Sequence, residues 1–196
     1  MYTVIGIPQT RTFRVLWALE EIGTDYELQP HPPRSPEVQA LNNSGKVPVL
    51  QTDGEIISDS TAILTFLADR HSDLTAPAGT LARARQDALT HLVLDELDAV
   101  LWTAARHSFI LPEERRVPEV KDSLKWEFAQ SLDRLAERMS GPFLTGKDFT
   151  IADIICTHCL NWARNAKFPV ENEAMLDYGK RMRARPAFQR VTALVK

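Results

Sequence analysis

Apolar and polar positions alternate along Tyr2-Thr3-Val4-Ile5-Gly6, and the period then changes. From about residue 10 to residue 22, Phe13, Leu16, Trp17 and Leu19 recur at three- and four-residue intervals. That spacing predicts an amphipathic helix, with Gly23 ending it. Tyr26 to Leu28 predicts a second short strand. A strand–helix–strand unit of this length implies a parallel pair with a right-handed crossover. Pro30, Pro32, Pro33 and Pro36 erase the period as far as Asn42-Asn43-Ser44-Gly45. Val47, Val49 and Leu50 before Asp53-Gly54, with Ile56-Ile57 after it, predict a hairpin. Ala62, Ile63, Leu64, Phe66 and Leu67 then predict a helix from about Asp59 to Arg70.

No pattern survives from His71 to Gly79, a stretch with Pro77 and Gly79 near its end. Every later segment has a helical period. A long helix is predicted from about 80 to 108 on Leu89, Leu92, Val93, Leu97, Val100 and Leu101. Others follow at about 117–139, 150–163, 173–183 and 186–195, separated by Pro112 and Gly141-Pro142. The order predicts a small α/β domain over residues 1–75 and an all-helical domain over residues 80–196.

Composition narrows the class of protein. Hydrophobic residues make up 44% and charged residues 25%, which suits a globular protein. A formal net charge of −3 supplies no basic excess for nucleic-acid phosphates. No stretch predicts a membrane span, and the start runs straight into a strand pattern without a leader-like region. With two cysteines no disulfide framework is expected, so the chain is predicted to be soluble and cytoplasmic.

Two segments carry candidate chemistry. Pro48 cannot donate to a ladder, so its strand is expected at an edge, at a bulge or with a cis bond. The Val47 backbone is then free to pair with an extended peptide. Ser58, Asp59 and Ser60 stand at the predicted helix start, whose N–H groups and dipole suit a carboxylate, and Asp59 suits an ammonium. Together they suit a small zwitterionic peptide, although the same residues also read as an ordinary edge strand and cap. In the second half, Thr150 and Asp153 form a capping-box pattern, with Phe149 and Ile154 as its staple and a structural role. Cys156-Thr-His-Cys159 lies inside an apolar helix, and no second cysteine pair accompanies it, so both sulfurs are expected in the core without a metal.

Gly45-Lys-Val-Pro-Val-Leu50, Asp59-Ser60 and Arg14-Val-Leu-Trp-Ala-Leu-Glu-Glu21 resemble the cytosolic glutathione S-transferase family. Gly141-Pro-Phe-Leu-Thr-Gly-Lys-Asp-Phe-Thr-Ile-Ala-Asp153 and Arg185-Pro-Ala-Phe188 extend the resemblance across the chain. It implies the family fold: a thioredoxin-like βαβ-ββα domain followed by an all-helical one, assembled as a homodimer. It also implies that Pro48 is cis, that Val47 pairs with the cysteinyl unit of glutathione, and that Asp59 and Ser60 take its γ-glutamyl end. Where the family more often has Glu or Gln, Asp59 keeps the charge with a shorter reach. Lys46 would neutralise the glycyl carboxylate or stand as a surface lysine.

The family's activating Tyr, Ser or Cys has no obvious counterpart. Gly6 stands where a tyrosine is expected, and no cysteine precedes Cys156. By resemblance to the serine-type branches Thr10 is the implied activating hydroxyl, with Arg11 and Thr12 as alternatives. A small hydrophobic electrophile is expected between the domains, lined by Trp102, Arg106 and Phe109 at helical spacing. The resemblance thus implies a glutathione transferase, with hydroperoxide reduction as a variant and glutathione-dependent isomerisation as a third possibility. A binding or interaction module that keeps the fold without turnover is the alternative.

Overall fold

A computed structural model describes residues 1–195. Its strands are β1 (Tyr2–Ile5), β2 (Tyr26–Gln29), β3 (Val49–Thr52) and β4 (Glu55–Ser58). They form one sheet in the order β2-β1-β3-β4, with β1 parallel to β2 and β3 antiparallel to both β1 and β4. Helices α1 (Thr12–Ile22), α2 (Pro36–Leu41) and α3 (Ser60–His71) complete this region. The βαβ-ββα order predicted from the sequence is therefore present.

The strand alternation sorts the core by face. Ile5 and Val49 are directly paired and share a cluster with Val38 of α2, while Val4 and Leu50 point the other way and are equally buried. Of the three placements expected for Pro48, the cis bond is present and the edge is not. β3 is an internal strand with neighbours on both sides, not an edge. Pro48 is tolerated because it precedes the strand, which begins only at Val49.

The chain resolves into two compact units that do not follow chain order: residues 1–83 with 183–196, and residues 84–182. In the first unit, α9 (Pro186–Thr192) returns to α1. Phe188 meets Trp17 edge-on and Phe13 at a tilt, each with centroids 5.0 Å apart. Arg185 donates through Nε and Nη2 to the two oxygens of Glu21, at 2.6 and 2.8 Å, and Trp17 Nε1 donates to the same carboxylate. Such a bidentate pair gives geometric specificity as well as energy.

The predicted 80–108 helix is not uniformly α-helical. It runs as α4 (Leu81–Leu92), a π-wound stretch Val93–Asp98, α5 (Ala99–Ala105) and a second π-wound stretch Arg106–Ile110. No proline or glycine lies between 81 and 110 to announce the change. The wider turns rotate the buried stripe: Val93, Leu97, Val100 and Leu101 are buried as expected, whereas Leu89 and Leu92 are half-buried beside buried Gln86 and Thr90. The second unit continues with α6 (Val120–Arg138), α7 (Ile151–Asn165) and α8 (Glu173–Arg183). Among the described residues no helix is long and apolar enough to cross a membrane.

Beside the α1–α9 contact, the Tyr26 hydroxyl donates to Glu20 at 3.0 Å, and Arg190 also pairs with Glu20. Partial burial, then the Glu20 hydrogen bond and charge, push the Tyr26 phenol up to about 12 from 10.0. A raised folded-state value contributes stability that is present below the unfolded value and lost as pH rises through the folded one. Wild type is therefore expected to lose stability between about pH 10 and 12 more steeply than Tyr26→Phe. At pH 7 the variant should lose about 1 kcal/mol, the worth of one hydrogen bond, in urea denaturation.

Candidate functional site

The register of the sheet collects the candidate residues. Gln29, Ile5, Val49 and Ser58 form one row across the four strands. One step beyond that row, at the same end of the sheet, lie Gly6, the Val47–Pro48 pair and Asp59. Three stretches separated by tens of residues are thus brought side by side by hydrogen-bond pairing alone.

Gly6 sets the closeness of that end. Its φ is +141°, and a Cβ built there would lie 2.2 Å from Thr12 Oγ1 and 2.9 Å from the Val47 Cβ. Only a residue without a side chain lets the first turn of α1 and the Val47 loop approach so far. The absence of a tyrosine at this position is therefore built into the packing. Thr10 and Thr12 then form a hydroxyl pair. Thr10 Oγ1 donates to the Ile7 carbonyl at 2.8 Å and accepts the Thr12 N–H at 3.2 Å. The two Oγ1 atoms are 2.9 Å apart. Because the single Thr10 proton goes to Ile7, Thr12 is the donor between them. Thr12 is fully buried, Thr10 is half-buried, and Arg11 between them is half-buried at the N-cap position of α1.

The Val47–Pro48 bond is cis, as the resemblance implies. Val47 lies outside the strand ladder, and its backbone makes no hydrogen bond within the described residues. The loop before it is held by its own polar groups. Asn42 Oδ1 accepts from the Ser44 N–H and hydroxyl, Asn42 Nδ2 donates to the Lys46 carbonyl, and Arg34 N–H donates to the Gly45 carbonyl. The Lys46 side chain is exposed.

Asp59 adopts φ 76°, ψ 125°, a backbone region that a side chain rarely enters. Its Oδ1 accepts the N–H groups of Thr61 at 2.8 Å and Ala62 at 3.1 Å, which caps α3. The ordinary capping reading of Asp59 is therefore correct, and it leaves Oδ2 with no bond to the helix. Ser60 is buried, and its Oγ lies 3.4 Å from Nη1 of Arg14, itself fully buried. The sequence reading places Arg14 only at the start of the α1 stretch that carries the resemblance and gives it no part in the site. A buried guanidinium under a helix start can be found only when α1 and α3 are seen packed together.

In the second unit, Trp102 and Arg106 are half-buried, and Phe109 is 67% exposed. Trp102 and Arg106 share one face of a helix. The expected helical spacing does not extend to Phe109, because residues 106–110 are π-wound and rotate it off the stripe. Arg106 Nη2 donates to Thr103 Oγ1 at 2.8 Å, while its Nε is buried without a hydrogen-bond partner.

Asp153 is structural. Its carboxylate accepts from the N–H groups of Leu144 and Thr150 and from the hydroxyls of Thr150 and Tyr178. Burial raises its pKa, and these hydrogen bonds oppose the rise. Phe149 packs edge-on against Phe143, which closes the turn ahead of α7. Both cysteines are free and buried, as expected, and burial pushes the Cys156 thiol well up.

Residues 11–70 match the family model described as glutathione S-transferase, N-terminal domain. A "Glutathione S-transferase zeta class" protein of Euphorbia esula is 30% identical over 152 residues, 73% of this chain and 67% of that protein. A "Probable maleylacetoacetate isomerase" of Caenorhabditis elegans is 27% identical over 148 residues, 73% of this chain and 69% of that protein. Among solved structures, a glutathione transferase from Methylococcus capsulatus strain Bath superposes with a TM-score of 0.84 at 25% identity. That superposition covers 99% of this chain and 98% of the other.

Gly6→Ala tests the closeness of the site. A Cβ there meets both Thr12 and Val47, on a backbone that disfavours any side chain, so a loss of about 2–4 kcal/mol is expected in chemical denaturation. Gly6→Ala combined with Thr12→Gly should recover about 1 kcal/mol or more of the contact cost, leaving the backbone cost in place.

Proposed function

Since the chain belongs to the glutathione S-transferase family, we propose that it binds glutathione at this end of the sheet and presents its thiolate to a small hydrophobic electrophile. It is a glutathione-dependent enzyme of that family. The observation that carries the reading is the meeting of the unpaired Val47 backbone with the Thr10–Thr12 hydroxyl pair across Gly6.

In this reading the Val47 N–H and C=O pair with the cysteinyl unit beside cis Pro48. Asp59 Oδ2 and the start of α3, with Ser60, hold the γ-glutamyl amine and carboxylate. Lys46 faces the glycyl carboxylate. The buried Arg14 fixes the Ser60 hydroxyl and adds positive potential beneath the same carboxylate. A free thiol with a pKa near 8.5 is only a few per cent ionised at pH 7. Lowering it by about 2 units requires about 3 kcal/mol, within reach of a few charge-assisted hydrogen bonds. Thr10 supplies one by turning its proton from the Ile7 carbonyl to the sulfur. Thr12 continues to donate into Thr10 Oγ1, which strengthens the Thr10 hydroxyl as a donor. The first N–H groups of α1 and nearby Arg11 add to the same field.

The thiolate then forms a C–S bond to the electrophile, and a leaving group departs with its bonding pair or a carbanion is protonated. Trp102, Arg106 and Phe109 are the proposed contacts for that electrophile. A second reading is isomerisation, in which the thiolate adds to a conjugated double bond, a single bond rotates, and glutathione is expelled unchanged. It is supported by the naming of several relatives as maleylacetoacetate isomerases. Hydroperoxide reduction, with the thiolate attacking the outer peroxide oxygen and a second glutathione closing a disulfide, needs the same activated sulfur. A homodimer belongs to the proposal and is read directly by light scattering.

The deciding measurement is the ultraviolet absorbance of bound glutathione thiolate against pH. Wild type should ionise the thiol about 2 units below its solution value, and Thr10→Ala should raise that midpoint by about 1 unit or more. Thr12→Val should raise it by less, because it acts through Thr10. Binding at the solution pKa would instead favour a recognition module without turnover. Asp59→Asn keeps the cap and removes the charge, so the glutathione dissociation constant should rise about 10-fold with little change in melting temperature. Consumption of glutathione during turnover separates transfer from isomerisation, which leaves it intact.

A further inference from the structure

Three side chains from two distant stretches of the second unit converge. A carboxylate oxygen of Asp98, a ring nitrogen of His158 and Sγ of Cys159 all lie within 4.8 Å of one another. Cys159 Sγ is 3.6 Å from Asp98 Oδ1. Asp98 and Cys159 are buried, and His158 is half-buried. Asp98 ends the π-wound stretch Val93–Asp98, which packs on α7 and turns this acid inward while Asp95 stays exposed. Such wide turns inside α-helices frequently accompany functional sites.

We propose that Asp98, His158 and Cys159 form a binding site for a divalent transition-metal ion of the zinc type. One carboxylate oxygen, one imidazole nitrogen and one thiolate form a mixed, borderline-soft donor set that suits zinc and its analogue cobalt(II). With a dication, one carboxylate, one thiolate and a neutral imidazole the charges sum to zero, so the loaded site brings no net charge into the core. Binding breaks the Cys159 S–H bond, releases its proton to solvent and forms the sulfur–metal bond, so affinity rises with pH. The fourth position is left for water on the side of half-exposed His158. The His158 ring is oriented there by Trp162, edge-on at 6.3 Å. Cys156 also lies near Cys159, but its sulfur is hydrogen-bonded with Tyr178 and is not among the converging donor atoms.

The full chain, reduced and freed of metal by a chelator, is titrated with cobalt(II). One equivalent should produce a thiolate-to-cobalt charge-transfer band in the near ultraviolet with strong visible bands of a four-coordinate ion. The chain has only two cysteines, so the band reports on Cys156 or Cys159 alone. Cys159→Ser should abolish the band and Cys156→Ser should leave it, while His158→Gln and Asp98→Asn should each weaken binding about 10-fold or more. No band, or one that survives Cys159→Ser, overturns the site, as do weak visible bands alone, which would mark exposed histidines elsewhere. If circular dichroism shows that Cys159→Ser fails to fold, half-exposed His158→Gln decides, and an unchanged cobalt affinity in it overturns the proposal.

Discussion

The pairing of β3 between β1 and β4 is the constraint on which the candidate site depends. Val49 is bonded into a row with Ile5 on one side and Ser58 on the other. A slip of one residue would turn Val49 and Leu50 onto each other's faces, so the two buried faces fix the register. With the register fixed, the positions just beyond the row are fixed as well. The end of β1, the entry to β3 and the exit from β4 converge, and each carries one part of the site. Neither of the flanking strands can move without exposing Ile5 or Val49, both fully buried.

That convergence is maintained against local preference. Gly6 and Asp59 both adopt positive φ, and Asp59 does so with a side chain. Costs of about 1–3 kcal/mol at such positions persist only where the surroundings over-determine them. For Asp59 the surroundings are the two α3 N–H groups bound to Oδ1, together with the β4 ladder that ends one residue earlier. The cap therefore holds the strained backbone that aims the acid. Structure and candidate function are carried by different oxygens of one carboxylate, so the modest reading of Asp59 as a cap and the functional one do not compete.

Much of the fold was legible because it is written in short-range patterns. The Asp53-Gly54 hairpin, the α1 and α3 stripes and the Thr150–Asp153 signal all depend on neighbours in sequence, and all appear where expected. What escaped depends on distant partners. Whether a strand is internal or an edge is decided by who pairs with it, so Pro48 left edge, bulge and cis bond open, and only the pairing of β3 selects among them. The π-wound stretches carry no proline or glycine signal, and the first of them packs on α6 and α7. That is why Leu89, Leu92 and Phe109 depart from an α-helical stripe. The Cys156–Cys159 spacing invited a search for a second cysteine pair, yet the residue that joins Cys159 is an aspartate 61 positions away.

Buried charge distinguishes the two units' polar cores. Asp153 receives four donors from Leu144, Thr150 and Tyr178, which nearly exhausts the acceptor sites of a carboxylate. A group so fully satisfied has little capacity left for a ligand, and its role is to lock the turn ahead of α7 to α8. Arg14 differs in its surroundings. It is a buried guanidinium whose Nη1 lies 3.4 Å from the Ser60 hydroxyl, at the start of a helix whose dipole has the same sign. A cation and a helix N-terminus placed together give this corner positive potential from two sources. The same electrostatics would favour a carboxylate at this corner, which would tie the packing of α1 on α3 to the glutathione binding proposed above.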